Sequence, residues 1–365
     1  MTGQIPYVED LLYLLTVPNI GPGRIRRLFQ QFGSFQDIRR APVRKLIHVA
    51  GIDLKIAEQI KNGGNDTIVA NQMALLDKFQ IDYITIWDKA YPSLLKRISD
   101  PPIVLFYKGD FKEQHSRSIA VVGTRTPSAY GKMMAAEITR QLVAKGITVV
   151  SGLARGVDSI AHQTAIGCGG ETIAVLGCGV DRCYPPENYE LYRKIPDHGA
   201  VISEYFIGTG PDAVNFPKRN RIISGLSLGT LVVEAGRKSG AVISAILALN
   251  QNREVFAIPG NINNPRSEGS NLLIKQGAKL VQNVEDILEE IGEFSHYFPI
   301  PPKPIPDDLG PIEKAIISSL SEDPKHIDRL VMELRETPST ILSGLLTLEL
   351  MGLVQQLPGK MFIRL

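Results

Sequence analysis

Ser118-Ile-Ala-Val-Val-Gly-Thr-Arg-Thr-Pro-Ser-Ala-Tyr-Gly131 is the stretch on which the fold turns. An apolar, β-branched run stops at a glycine, a hydroxyl and an arginine follow, and Pro127 stands where the first turn of a helix accepts it. The same grammar recurs in Ile147-Thr-Val-Val-Ser-Gly152, Thr172-Ile-Ala-Val-Leu-Gly177, Thr230-Leu-Val-Val-Glu234 and Glu254-Val-Phe-Ala-Ile-Pro-Gly260. Almost every residue in these runs is apolar, as strands buried on both faces of a parallel sheet require. Alternation with helical stretches predicts a Rossmann-like, doubly wound α/β domain over residues 75–292.

In such a sheet, ligands bind beyond the carboxyl ends of the strands, where helix N-termini point. Three strand-to-helix junctions carry small residues and a cation: Gly123 to Gly131, Ser151-Gly-Leu-Ala-Arg-Gly-Val-Asp158, and Glu234-Ala-Gly-Arg-Lys-Ser-Gly-Ala241. Glycine lets a phosphate approach the backbone, and arginine adds a forked donor. One such turn is a weak signal, whereas three in one sheet imply a ribbon of anion sites. Between the second and third lies Asn215-Phe-Pro-Lys-Arg-Asn-Arg221, cations beside an aromatic, the pairing that sequence-tolerant binding of single strands needs. Phe216 reads equally as a stacking face and as core. Arg219 and Arg221, flanking Asn220, show no structural task in the sequence. The candidate contacts are therefore Gly123, Thr124, Arg125, Ser128, Gly131, Ser151, Gly152, Arg155, Gly156, Phe216, Lys218, Arg219, Asn220, Arg221, Ser239 and Gly240.

Sharper chemistries fail on spacing. Gly123 to Gly131-Lys132 separates its glycines too widely for a Walker A loop and lacks the following Ser or Thr. Gly177-Cys-Gly179 begins a dinucleotide fingerprint that Cys183 breaks. Asp158 and His162 stand four apart on one helix, but the capping and packing reading outweighs an acid–base pair, since no nucleophile accompanies them. Cys168, Cys178 and Cys183 form no Cys-x-x-Cys pair, so neither metal nor a disulfide scaffold is expected. No cofactor and no catalytic residue are expected. The competing reading is a nucleotide N-glycosidase built on Glu234, Arg221 and Gly225.

Outside the middle domain, residues 1–74 show helical periodicity alone and contain Ile20-Gly-Pro-Gly-Arg24, a helix–hairpin–helix signal, with a weaker copy at His48–Ala57. From Ile20 to Lys45 there are seven cations and one acid, which reads as a DNA contact or as a solvated face. A proline-rich linker, residues 293–310, leads to a predicted winged helix over 311–365, with helices at Ile312–Leu320, His326–Leu334 and Ser339–Met351 and a hairpin around Pro358-Gly359. Its recognition helix holds no Lys or Arg, which favours a protein contact over base reading. The 365 residues carry a net charge of +2, so charge distribution rather than total must identify partners. No run spans a bilayer and no signal peptide is evident, so a cytoplasmic location without membrane contact is expected.

The middle domain resembles the DNA-processing protein A family (DprA, also called Smf) from roughly Tyr91 to Gly277. The resemblance rests on Tyr91-Pro92, Val122-Gly-Thr-Arg125, Ser128-x-Tyr-Gly131, Ser151 to Asp158, Ala161-His162, Tyr184-Pro185, Ser203-Glu204, Phe216 to Arg221, Val233-Glu234, Ser239-Gly240 and Pro259-Gly260, in that order. It implies a mediator of homologous recombination that binds and protects incoming single-stranded DNA in natural transformation and loads a RecA-type recombinase. It also implies a homodimer through the Rossmann-like domain. By motif, Arg125 corresponds to the family's DNA-binding arginine, with Lys218 and Phe216 as its lysine and aromatic. Thr124 stands where many relatives carry serine, which keeps the hydroxyl.

Overall fold

The computed structural model describes residues 8–111, 117–294, 309–320, 325–351, 353–357 and 360–364. The proline-dense stretch Phe298–Asp308 and the Pro358-Gly359 turn lie outside these. The chain forms two compact units, Met1–Ile291 and Gly292–Leu365.

The first unit opens with helices α1 (Val8–Thr16), α2 (Pro22–Phe32), α3 (Phe35–Arg40), α4 (Val43–Leu46), α5 (Leu54–Asn62) and α6 (Asp66–Phe79). Ser34, Asp53 and Asn65 each cap the helix that follows by accepting a backbone amide. Then come nine strands: β1 (Asp82–Thr85), β2 (Val104–Gly109), β3 (Ser118–Val122), β4 (Thr148–Ser151), β5 (Thr172–Val175), β6 (Gly199–Ser203), β7 (Gly229–Val232), β8 (Glu254–Ala257) and β9 (Lys279–Leu280). They pair in the order β1-β2-β6-β5-β4-β3-β7-β8-β9, parallel from β6 to β9, with β1 and β2 antiparallel at one edge. The helices among them are α7 (Ser93–Lys96), α8 (Ala129–Ala144), α9 (Val157–Gly167), α10 (Tyr189–Lys194), α11 (Asn215–Leu226), α12 (Gly240–Asn250), α13 (Glu268–Lys275) and α14 (Val284–Phe294). The mostly parallel, doubly wound sheet expected from the sequence is present.

Every residue of β3 to β7 is buried, which explains the unbroken apolar runs. Each buried Val or Ile contributes about 1.5–3 kcal/mol. Two of the hydroxyls that interrupt the runs find carbonyls, Ser151 Oγ donating to Val121 O of the neighbouring strand at 2.6 Å and Ser118 Oγ to Leu226 O at 2.8 Å, whereas Thr230 Oγ1 is buried without a hydrogen-bond partner among the described residues. The N-terminal helices share a hydrophobic core with the sheet's edge. Phe29 and Phe35 meet Trp87 at ring separations of 4.5 and 5.0 Å, and the Gln72 side chain bonds both backbone groups of Ile207. Residue 74 itself lies within α6, and the packing continues from this helix into the sheet.

The second unit contains α15 (Pro311–Ser319), β10 (Lys325–His326), α16 (Ile327–Leu334), α17 (Pro338–Leu350), β11 (Val354–Leu357) and β12 (Met361–Arg364), with β12 between the other two strands. This is the winged-helix order. Leu342 and Leu346 of α17 are exposed, so the recognition helix presents an apolar face.

Candidate nucleic-acid interface

The chain leaves β3 toward β4 on one side and later returns to β3's other side as β7. Strand order therefore reverses between β3 and β7, the position where doubly wound sheets hold ligands. An open crevice of about 820 Å³ lies there, bordered by the loops after β3, β4, β7 and β8 and by the N-terminal half of α11. Its lining includes Arg125, Arg219, Arg237, Lys238 and Arg266 and a single acid, Asp158, which is buried.

The loop after β3 is held by the loop after β7. Thr124 N donates to Glu234 O at 2.7 Å. Ser128 donates from both N and Oγ to the Glu234 carboxylate at 2.8 Å, while its Oγ caps α8 by accepting Gly131 N at 3.1 Å. Glu234 is 1% exposed and also accepts Asn264 Nδ2 at 3.3 Å. A Cβ on Gly131 would lie 2.4 Å from Glu234 Oε2, and one on Gly156, whose φ is +80°, would meet Thr124 O. Only glycine permits these approaches. Arg125 extends from this braced loop, exposed and without an ion pair among the described residues.

Two expectations about α11 are corrected. Arg219 is 4% exposed, and its guanidinium occupies the space a Cβ on Gly152 would need. It donates to Gly152 O at 2.7 Å and to Val175 O, fastening α11 to the ends of β4 and β5. Burial lowers its pKa, opposed by Asp158. Arg221 pairs with Glu204 and lies 3.5 Å from Asp100. Both arginines therefore have structural tasks, though Arg219 still faces the crevice floor. Lys218 is exposed on α11 and is not among the crevice-lining residues. Phe216 is half-buried: it packs over Gly177, and its ring lies 5.3 Å from that of Tyr184, both lining the crevice. It is part core edge and part crevice wall.

Other predicted contacts divide similarly. Gly123, Thr124, Asn220, Ser239 and Gly240 line the crevice, with Ser239 capping α12 through Ala241 N at 3.2 Å. Ser151 and Gly131 are buried beneath it. Arg155 borders a narrow side pocket with Arg125, Gly152, Tyr184 and Phe216, and is ion-paired to Glu187. Arg237, Lys238, Arg266 and Tyr184 were not among the sequence candidates. Arg237 and Lys238 stood inside the third junction, but nothing in the sequence brings Arg266 to the crevice.

The groups considered for catalysis are engaged elsewhere. Asp158 accepts Gly152 N at 3.1 Å and Ala154 N at 3.4 Å, with its pKa raised by burial against the pull of Arg219 and these amides. His162 Nδ1 lies 2.6 Å from Thr172 Oγ1, which itself donates to Val149 O, so Nδ1–H is the donor. Burial lowers the His162 pKa to about 3, leaving the ring neutral. Gly225 is packed under Leu95 and Ile98, Arg221 is paired with Glu204, and Glu234 is saturated by Ser128 and Asn264.

In the N-terminal helices, Gly21 begins α2 without a side-chain cap, whereas Asp53 caps the corresponding α5. Arg24 bridges the two hairpins through Asn19 O and Gly51 O at 2.8 Å, and Arg39 pairs with Asp10 and Asp66. Arg40, Arg44 and Lys45 stay exposed.

Residues 82–292 match the family described as DNA recombination-mediator protein A, residues 300–360 the DprA winged-helix domain and residues 11–63 a SAM-like tandem helix–hairpin–helix. The chain is 34% identical to protein Smf of a Synechocystis species, over 95% of this chain and 96% of that one. The structure of DNA processing protein A from Streptococcus pneumoniae superposes with a TM-score of 0.69 at 33% identity, covering 78% of this chain and 99% of that one. That of the Helicobacter pylori protein, whose single-stranded DNA binding mode has been described structurally, gives 0.53 at 30% identity over 59% of this chain and 97% of the other. With residues 82–292 matching this family, matches over both flanking modules and 34% identity to a relative along nearly its whole length, the chain belongs to the DNA recombination-mediator protein A family.

Proposed function

We propose that the protein binds single-stranded DNA in the crevice beyond β3 and β7 and acts as a recombination mediator, not as a catalyst. The observation that carries the reading is the set of four cations, Arg125, Arg237, Lys238 and Arg266, that have no ion pair among the described residues and surround an open crevice that also presents the Tyr184 and Phe216 rings. Unpaired cations neutralise phosphates, and rings stack on unpaired bases of any sequence. The Helicobacter relative's single-stranded DNA binding supports it. A role in protecting transforming DNA, loading of a RecA-type recombinase, a homodimer through the Rossmann-like unit and a cytoplasmic location follow from the family resemblance. Exposed Ile246 and Leu249 on α12 support a contact between copies. Exposed Leu342 and Leu346 support a protein contact for the winged helix. Among the described residues no helix is long and apolar enough to cross a membrane. The test is fluorescence anisotropy of the full chain with labelled single strands and matched duplex. Tighter binding to single strands, whatever their sequence, is expected, and equal or tighter duplex binding overturns the reading.

A further inference from the structure

The loop between β8 and α13 contains an apolar side chain that the fold does not use. Ile262 is 95% exposed, the most exposed large apolar residue among those described. It occupies the tip of a turn closed by Asn264 N donating to Asn261 O at 3.0 Å. Turn tips are ordinarily Pro, Gly, Asn, Asp or Ser, because the position faces water. A β-branched apolar residue there gains nothing from burial within the fold and is open to a ligand with an apolar face.

The loop is also held firmly. Asn271 exchanges two hydrogen bonds with Gly260, accepting its N–H at 3.1 Å and donating to its carbonyl at 2.9 Å. Asn264 donates to Glu234 Oε1 at 3.3 Å and accepts Arg266 N at 3.1 Å. Through Glu234, the carboxylate that braces the Arg125 loop also braces this one. Beyond the turn, Pro265 and Arg266 line the crevice, with Arg266 exposed and without an ion pair among the described residues. An exposed apolar tip in the same braced loop as a cation that lines the crevice matches the faces and phosphates of a single strand. Apolar side chains inserted between base steps unstack them, and the adjoining phosphate then needs a cation.

We propose that Asn261–Arg266 is a further contact for the bound strand, in which Ile262 inserts between two neighbouring bases and Arg266 takes the phosphate beside them. The inference rests on the crevice being a single-stranded DNA site, and the experiment separates the two. The full chain is titrated into oligo(dA) carrying 2-aminopurine, whose fluorescence is quenched by stacking and rises when neighbours are parted, at several salt concentrations. Wild type is expected to raise the fluorescence. Ile262→Ser removes that rise and weakens binding about fivefold while leaving the salt slope unchanged. Arg266→Ala reduces the slope of log K against log salt by about 0.7, the value for one phosphate of a single strand. Both side chains are exposed, so neither variant disturbs the fold. If Ile262→Ser keeps the full fluorescence rise, or alters the sedimenting species instead, the inference fails. If Arg125→Ala binds like wild type, or wild type prefers duplex, the underlying reading fails.

Discussion

His162 supplies a stability term whose pH dependence follows from its burial. The ring is fully buried and donates from Nδ1 to Thr172, and its pKa falls from the ordinary 6.5 to about 3. In the unfolded chain the ring takes a proton below pH 6.5, whereas the folded state refuses one until about pH 3. The unfolded state therefore binds more protons throughout that window, and stability falls as pH falls through it. By pH 5 the loss is about 2 kcal/mol, and it reaches about 4 kcal/mol near pH 3. His162→Asn keeps a donor near the Nδ1 position and removes the titration. The chain's single tryptophan, Trp87, lies in the first unit against Phe29 and Phe35, so its fluorescence in urea reports that unit alone. Between pH 7.5 and pH 5 wild type should lose about 2 kcal/mol more than His162→Asn. Parallel pH profiles for the two proteins would refute a neutral, buried His162.

Arg125→Ala should lower the salt slope of single-strand binding by about 0.7, while Lys218→Ala, outside the crevice lining, should leave it close to wild type; equal losses would place the strand along α11's outer face. Gly152→Ala puts a methyl 2.5 Å from the Arg219 guanidinium and should destabilise the first unit by about 1–3 kcal/mol, and an unchanged urea midpoint would show that Arg219 is not fixed there. Glu234→Gln forces a donor against a site with three donors and should cost about 2 kcal/mol of stability and weaken DNA binding. No release of product from labelled DNA or nucleoside monophosphates, with or without magnesium, is expected from either protein; wild-type turnover lost in Glu234→Gln would identify an enzyme.

The sheet was legible because burial on both faces leaves an unbroken apolar run, and glycine marks where a strand must end close to a ligand. The three junctions were legible for the same reason, and Gly123, Thr124, Arg125, Ser239 and Gly240 do line one crevice. Local sequence does not show which cations are already used. Arg219 and Arg221 look alike beside Asn220, yet one is fastened to carbonyls 67 and 44 residues away and the other to Glu204. Arg266 could not be found from spacing, since its place at the crevice depends on Asn264 reaching Glu234, 30 residues earlier. Glu234 looked like a catalytic acid because a buried carboxylate and a bracing carboxylate are spelled alike; only its three donors distinguish them.

The core shared by the N-terminal helices and the sheet has a consequence during synthesis. Gln72 completes its bonds to Ile207 only after another 135 residues have been made. At about 5–20 residues per second that is a delay of roughly 7–27 s, far longer than helices need to form. Through that interval α1 to α6 stand on the ribosome with the faces that will meet Trp87, Phe206 and Ile207 only partly covered. The helices fold early but are completed late, so the nascent chain, rather than the finished protein, is where these residues are most open to chaperones and to aggregation.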